Sequence, residues 1–132
     1  MKRLLVATFA LFTATTVFAF GEPTHSKIEV AATPAGDQME FTFKVIANEG
    51  HAVTFDAPWK LDLKKHDGLA FDKAALNKAD MDEKIPGWKV KTSAKPANAQ
   101  GEMEYQLVAF ICTTNKTQCY REVHKGKAAW KQ

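Results

Sequence analysis

Apolar and polar residues alternate with period two along much of this chain, and no stretch reads as a long amphipathic helix. The cleanest run places Met39, Phe41, Phe43 and Val45 on one face and Glu40, Thr42 and Lys44 on the other. Such alternation marks a strand with one face buried and one face wet. Residues 27–32 alternate as well. The Pro and Gly within residues 33–37 punctuate the chain, so residues 27–46 are expected to form an antiparallel hairpin. A second turn falls at residues 48–51, and residues 52–55 read as extended. Pro58 cannot donate to a ladder and belongs at a strand start or an edge. Trp59, Leu61 and Leu63 then point inward from another alternating run. Residues 65–68 turn the chain, and residues 69–72 form a short extended piece. Further along, Trp88 and Val90 alternate with Lys89 and Lys91. Residues 108–111 are apolar on both faces, as expected of a central strand. Residues 73–86 have a helix-friendly composition, but Leu76 and Met81 make no sustained stripe; one helical turn or a long loop both fit. Seven or eight short strands separated by Gly, Pro and Asn turns predict an all-β fold, an immunoglobulin-like antiparallel β-sandwich. The antibody-type Cys…Trp…Cys spacing is absent.

The only two cysteines lie either side of a polar patch, in the stretch from Tyr105 to Val123. Asn115-Lys116 can start a turn, because Asn tolerates left-handed backbone. A two-residue turn at Asn115-Lys116 and a four-residue loop over 114–117 both set Cys112 opposite Cys119. They differ in hydrogen-bonding register. Either register brings the α-carbons to roughly 4.5–5.5 Å, within reach of a disulfide. A cysteine-bearing hairpin is therefore part of the predicted fold.

The first residues change how that pair is read. Met1-Lys2-Arg3 precedes an apolar run that ends in Val17-Phe18-Ala19, the layout of a cleavable signal peptide over residues 1–19. The run is short for a membrane span, so no stable membrane insertion is expected. Residues 20–26 read as a flexible leader and residues 27–132 as a single domain. Removing the first 19 of 132 residues leaves 113, enough for one core without a metal. Lys2 and Arg3 leave with the signal, so 18 basic residues become 16 against 15 acidic ones. That near-neutral balance argues against a nucleic-acid partner. An exported, periplasmic or secreted location permits the disulfide, and two cysteines allow one intramolecular pairing.

Other chemistry finds little support. His25, His51, His66 and His124 lie near turns or ends, none at metal-ligand spacing, and are expected at the surface. Ser26 and Ser93 sit in no nucleophile-elbow motif. A Cys–His nucleophile, pairing Cys112 or Cys119 with His124, lacks an orienting group. Trp59, Trp88 and Trp130 are expected to pack in the core rather than form a binding platform. No cofactor and no metal are expected, and the chain reads as a monomer.

The segment Phe110-Ile-Cys112…Gln118-Cys119-Tyr120 resembles the cysteine hairpin of the N-terminal periplasmic domain of the thiol–disulfide interchange protein DsbD. The segment from Asn48-Glu-Gly-His51 to Asp56-Ala-Pro-Trp59-Lys-Leu-Asp-Leu63 resembles stand-alone exported relatives of that domain. The resemblance spans about residues 39–124. It implies an immunoglobulin-like sandwich in which Cys112 and Cys119 exchange their disulfide with a periplasmic thiol–disulfide protein, and it suggests Phe55-Asp56 as a protective cap over the pair. The chain departs from the family in having six residues between its cysteines and Arg121-Glu122 where Pro-Pro often follows the Tyr. Arg121 beside Cys119 either lowers a thiolate pKa or is a solvated strand residue. The alternative function is a non-enzymatic binding or structural module stapled by an inert disulfide.

Overall fold

The computed structural model describes residues 24–132. The signal peptide expected over residues 1–19 and the first part of the leader lie outside the described residues. Among the described residues, eight strands form two antiparallel sheets. The first is three-stranded, in the order β1 (Ser26–Ala35), β2 (Gln38–Ala47), β6 (Gly87–Lys91). The second is built around β7 (Gln100–Thr113). Along one edge of β7 runs β8 (Cys119–Lys131). Along its other edge β3 (His51–Val53) and β4 (Lys60–Leu63) follow end to end, with β5 (Ala75–Asn77) outside β4. Residues 108–111, apolar on both faces, are thus central, as their composition predicts.

The expected hairpin over residues 27–46 forms, with β1 running to Ala35 and a two-residue turn at Gly36-Asp37. Gly36 takes a φ of +63°, a conformation that costs a side-chain-bearing residue and suits glycine. Pro34 sits inside β1 without breaking the ladder. Its partner Met39 directs N–H and C=O toward Thr92, on the opposite side from β1. The nitrogen of Pro34 therefore faces the open edge, where no donor is needed.

The core lies between the sheets. Met39, Phe41, Phe43 and Val45 of β2 are at most 1 % exposed, and Trp59, Leu61 and Leu107 from the other side are fully buried. Each such aromatic or aliphatic side chain contributes about 1.5–3 kcal/mol by leaving water. Trp59 and Trp88 meet with ring centroids 6.2 Å apart. Their indole N–H groups donate to Thr54 O at 2.6 Å and Asn77 O at 3.1 Å. Trp130 is also buried, so all three tryptophans pack inside as expected. Gly87 lets β6 close on β2, for a Cβ there would overlap the Phe43 carbonyl.

Residues 73–86 resolve into strand β5, one 3₁₀ turn (Lys78–Asp80) and a tight turn closed by the Asp82–Gly87 bridge. Asn77 caps the 3₁₀ turn, accepting from Ala79 N at 2.9 Å, while Asp80 accepts from Asn77 N at 3.0 Å. The helix-friendly residues 75–77 are drawn into a strand because Leu76 pairs with Leu61 and is buried. Tertiary packing outweighs the weak intrinsic helix preference. Among the described residues, no helix is long and apolar enough to cross a membrane.

Candidate functional site

The cysteine hairpin extends β7 and β8 to one end of the sandwich. Cys112 faces Cys119 and the two form a disulfide, with α-carbons 4.0 Å apart. Thr113 N donates to Gln118 O at 2.8 Å, so Thr113 and Gln118 are the hydrogen-bonded pair and the cysteines beside them are the close, non-bonded pair. The loop is the four-residue one, residues 114–117, and Lys116 N donates to Thr113 O at 2.8 Å. Lys116, not Asn115, takes the left-handed conformation, with φ 59°. The Asn115 side chain fixes the loop instead. Its Oδ1 accepts from Thr113 Oγ1 at 2.6 Å and from Thr117 Oγ1 at 2.8 Å.

The two half-cystines differ in exposure. Cys112 is 7 % exposed, whereas Cys119 is open to solvent. Both project from the outer face of the sheet, since their neighbours Ile111 and Tyr120 take the inner parity. On that outer face Cys112 is flanked by Ala52 of β3, itself exposed and too small to cover the pair. Phe55 of the expected cap lies at the margin of the core, with its ring centroid 5.9 Å from that of Trp59.

Behind the hairpin, the inner face of β8 carries a polar cluster. Counting by twos from Trp130 through Ala128 puts His124, Glu122 and Tyr120 on the buried side. Glu122 is 6 % exposed and His124 5 %. The Glu122 carboxylate accepts from Thr24 N at 3.0 Å, His25 N at 3.1 Å and Ser26 Oγ at 2.5 Å. It also lies 3.2 Å from His25 Nδ1. Ser26 Oγ is 2.9 Å from His124 Nε2. The His25 ring stacks on Tyr120 at 3.9 Å between centroids, and His51 lies 4.7 Å from His25. Residues 24–26 of the expected leader are thereby tied to β8, and β1 begins at Ser26.

This cluster corrects the expectation that the histidines are surface residues: His124 is buried, and His25, His51 and His66 are half-buried. Burial pushes the His124 imidazole below its ordinary value, with the Glu122 charge opposing. Burial pushes Glu122 up, but the hydrogen bonds from Ser26, His25 and Thr24 together outweigh it and hold the carboxyl below its ordinary value. The signal for this burial was in the sequence, as the parity that Trp130 and Ala128 impose on β8.

The cluster brings together a serine, a histidine and a carboxylate, but not as a nucleophile triad. Glu122 bonds to Ser26 itself rather than orienting His124, and Ser26 is 5 % exposed. A Cys–His nucleophile is ruled out too, because His124 and Cys119 leave opposite faces of β8. Among the described residues, no group of three or more His, Cys, Asp or Glu side chains could hold a metal ion. What the hairpin can do chemically is open its disulfide. No family model, no curated protein and no solved structure matches this chain.

Proposed function

We propose that this is an exported, periplasmic thiol–disulfide exchange module that acts through the Cys112–Cys119 pair. The observation that carries the reading is the asymmetry of the pair: Cys119 is exposed at the start of β8, while Cys112, on β7 between β3 and β8, is buried. Exchange needs in-line access of a thiolate to one sulfur and a leaving group on the other. A partner thiolate attacks Cys119 Sγ. The S–S bond breaks, its electron pair leaves on Cys112 Sγ, and that thiolate takes a proton from water. A second partner thiolate then attacks the partner's own sulfur in the mixed disulfide and releases Cys119. The partner departs oxidised by two electrons, and the pair is left as two thiols. The reverse sequence uses the same atoms.

A second reading, a stapled binding module, is favoured by the dense hydrogen bonding around Asn115 and Thr113, which holds the hairpin end firmly. One measurement separates the two. The oxidised protein is equilibrated in glutathione buffers of graded potential and its thiols are trapped. A pair that titrates well above about −300 mV and exchanges rapidly supports the shuttle. A pair that stays oxidised across the whole range refutes it and leaves the staple.

A further inference from the structure

We propose that Arg121 makes the outer face around the disulfide select thiol partners that carry a carboxylate next to their reactive cysteine. The inference rests on the exchange reading above and names the class of partner. On the outer face the disulfide forms one row with Ala52. The next row holds Phe110 and Arg121, and the row after it Val108 and Val123. Arg121 is two residues along the strand from Cys119 on the same face, a displacement of roughly 6.5–7 Å. It is exposed, and its cross-strand neighbour is the half-buried Phe110, which has no charge. Among the described residues Arg121 joins no ion pair.

The other charges that β4, β7 and β8 carry on this face stand further off. Lys60 is aligned with Val108, and Asp62 and Lys125 with Gln106, two and three rows away or roughly 13 and 20 Å at the same spacing. Glu104 is already paired with Lys127 at 3.7 Å. Lys116 at the hairpin end and Glu49 in the turn beside it are of opposite sign, and Asp56 lies in the loop beyond Thr54. Arg121 is therefore the charge nearest to Cys119 along β8 on this face. The half-buried Phe110 and Val123 beside it give such a partner an apolar footing. The guanidinium adds a fork of donors that matches a carboxylate in two parallel hydrogen bonds.

The test uses two small thiols of opposite charge, 3-mercaptopropionate and cysteamine, reacting with the oxidised protein. Formation of the mixed disulfide on Cys119 is followed by mass spectrometry, and each rate is divided by the thiolate concentration. The ratio of the two rates is compared between proteins, so that the intrinsic reactivity of each thiol cancels. A unit charge some 7 Å away in water alters a rate by two- to threefold, and the two thiols feel it with opposite sign. The ratio should therefore fall about fivefold in Arg121→Gln at low salt. Arg121→Lys should keep most of it, and Lys91→Gln, on the outer face of the other sheet, should leave it unchanged. At 1 M salt, where screening acts over about 3 Å, the wild-type preference should fade. A ratio in Arg121→Gln equal to that of the wild type overturns the selection by Arg121 while leaving exchange intact. Absence of any mixed disulfide with either thiol overturns the exchange reading and this inference together.

Discussion

Replacing Glu122 by alanine should be among the most damaging single changes outside the apolar core. The carboxylate takes four contacts from residues 24–26, all 3.2 Å or shorter. Hydrogen bonds to a charged group contribute about 1.5–3 kcal/mol each, but they do not add in full. The donors on Thr24 and His25 can regain water, since both residues retain solvent contact. The Ser26 hydroxyl, 5 % exposed, keeps only His124 Nε2 as a partner. Relief of the buried carboxylate's own desolvation offsets part of the loss. The net expectation is about 3 kcal/mol of lost stability. At about 4–8 °C per kcal/mol for a domain near this size, Tm should fall by at least about 12 °C. Urea unfolding should show a lower midpoint with an unchanged m value. Glu122→Gln should lose about 2 kcal/mol, because its amide turns a donor toward groups that are themselves donors. An alanine variant within 1 kcal/mol of the wild type would show that the cluster does not hold β1 to β8.

Acid should weaken the fold in two stages. The His124 imidazole is held below its ordinary 6.5, so the unfolded chain binds the extra proton first and stability declines as pH falls from 6.5 toward the depressed folded value. Glu122, held below 4.5, adds a second decline as pH falls from 4.5 through its folded value. A His124→Gln variant should lose the first stage in urea melts run across pH 7 to 5; an unchanged slope there would exclude His124 as its source. The double variant Cys112→Ser/Cys119→Ser should unfold about 2.5 kcal/mol more easily, the loop-entropy value for a closure this short, and remain folded at 25 °C by circular dichroism. Lys116→Gly should gain up to about 1 kcal/mol, because Lys116 holds a left-handed backbone that glycine adopts freely. A loss in thermal melts of that variant would contradict the turn described. Gly87→Ala should cost more than about 3 kcal/mol or abolish folding, since strands β2 and β6 must part to admit the methyl group beside the Phe43 carbonyl.

The strands were legible wherever one face is apolar and the other wet. Met39 to Val45, Trp59 to Leu63 and Trp88 to Val90 fall inward as their spacing predicts. Pairing of Cys112 with Cys119 followed from counting across the turn, whichever register held. The register itself was not legible, because it depends on whether Thr113 bonds Gln118, and both arrangements place the same residues opposite each other. Strand β5 was hidden because Ala, Leu and Asn have no strong preference, and it is the pairing of Leu76 with Leu61 that decides their state. The cluster around Glu122 was missed for a different reason. Residue type suggests that a Glu and a His near the end of a chain are exposed, and that average outweighed the local parity set by Trp130. Burial becomes affordable only when Ser26 and the backbone of residues 24 and 25 arrive from nearly one hundred positions away in the sequence.

The anchoring of Thr24 and His25 to Glu122 fixes where attachments to this domain emerge. Thr24 itself is held near the hairpin end, because Glu122 lies three positions from Cys119 and His25 stacks on Tyr120. Strand β8 then runs 13 residues away from that end to Lys131, a length of roughly 40 Å at strand spacing. A purification tag, fluorophore or surface tether joined directly to Thr24 would crowd the cysteine pair and distort any binding or exchange assay. The same addition after Gln132 would stand at the far pole and leave the disulfide facing free solution.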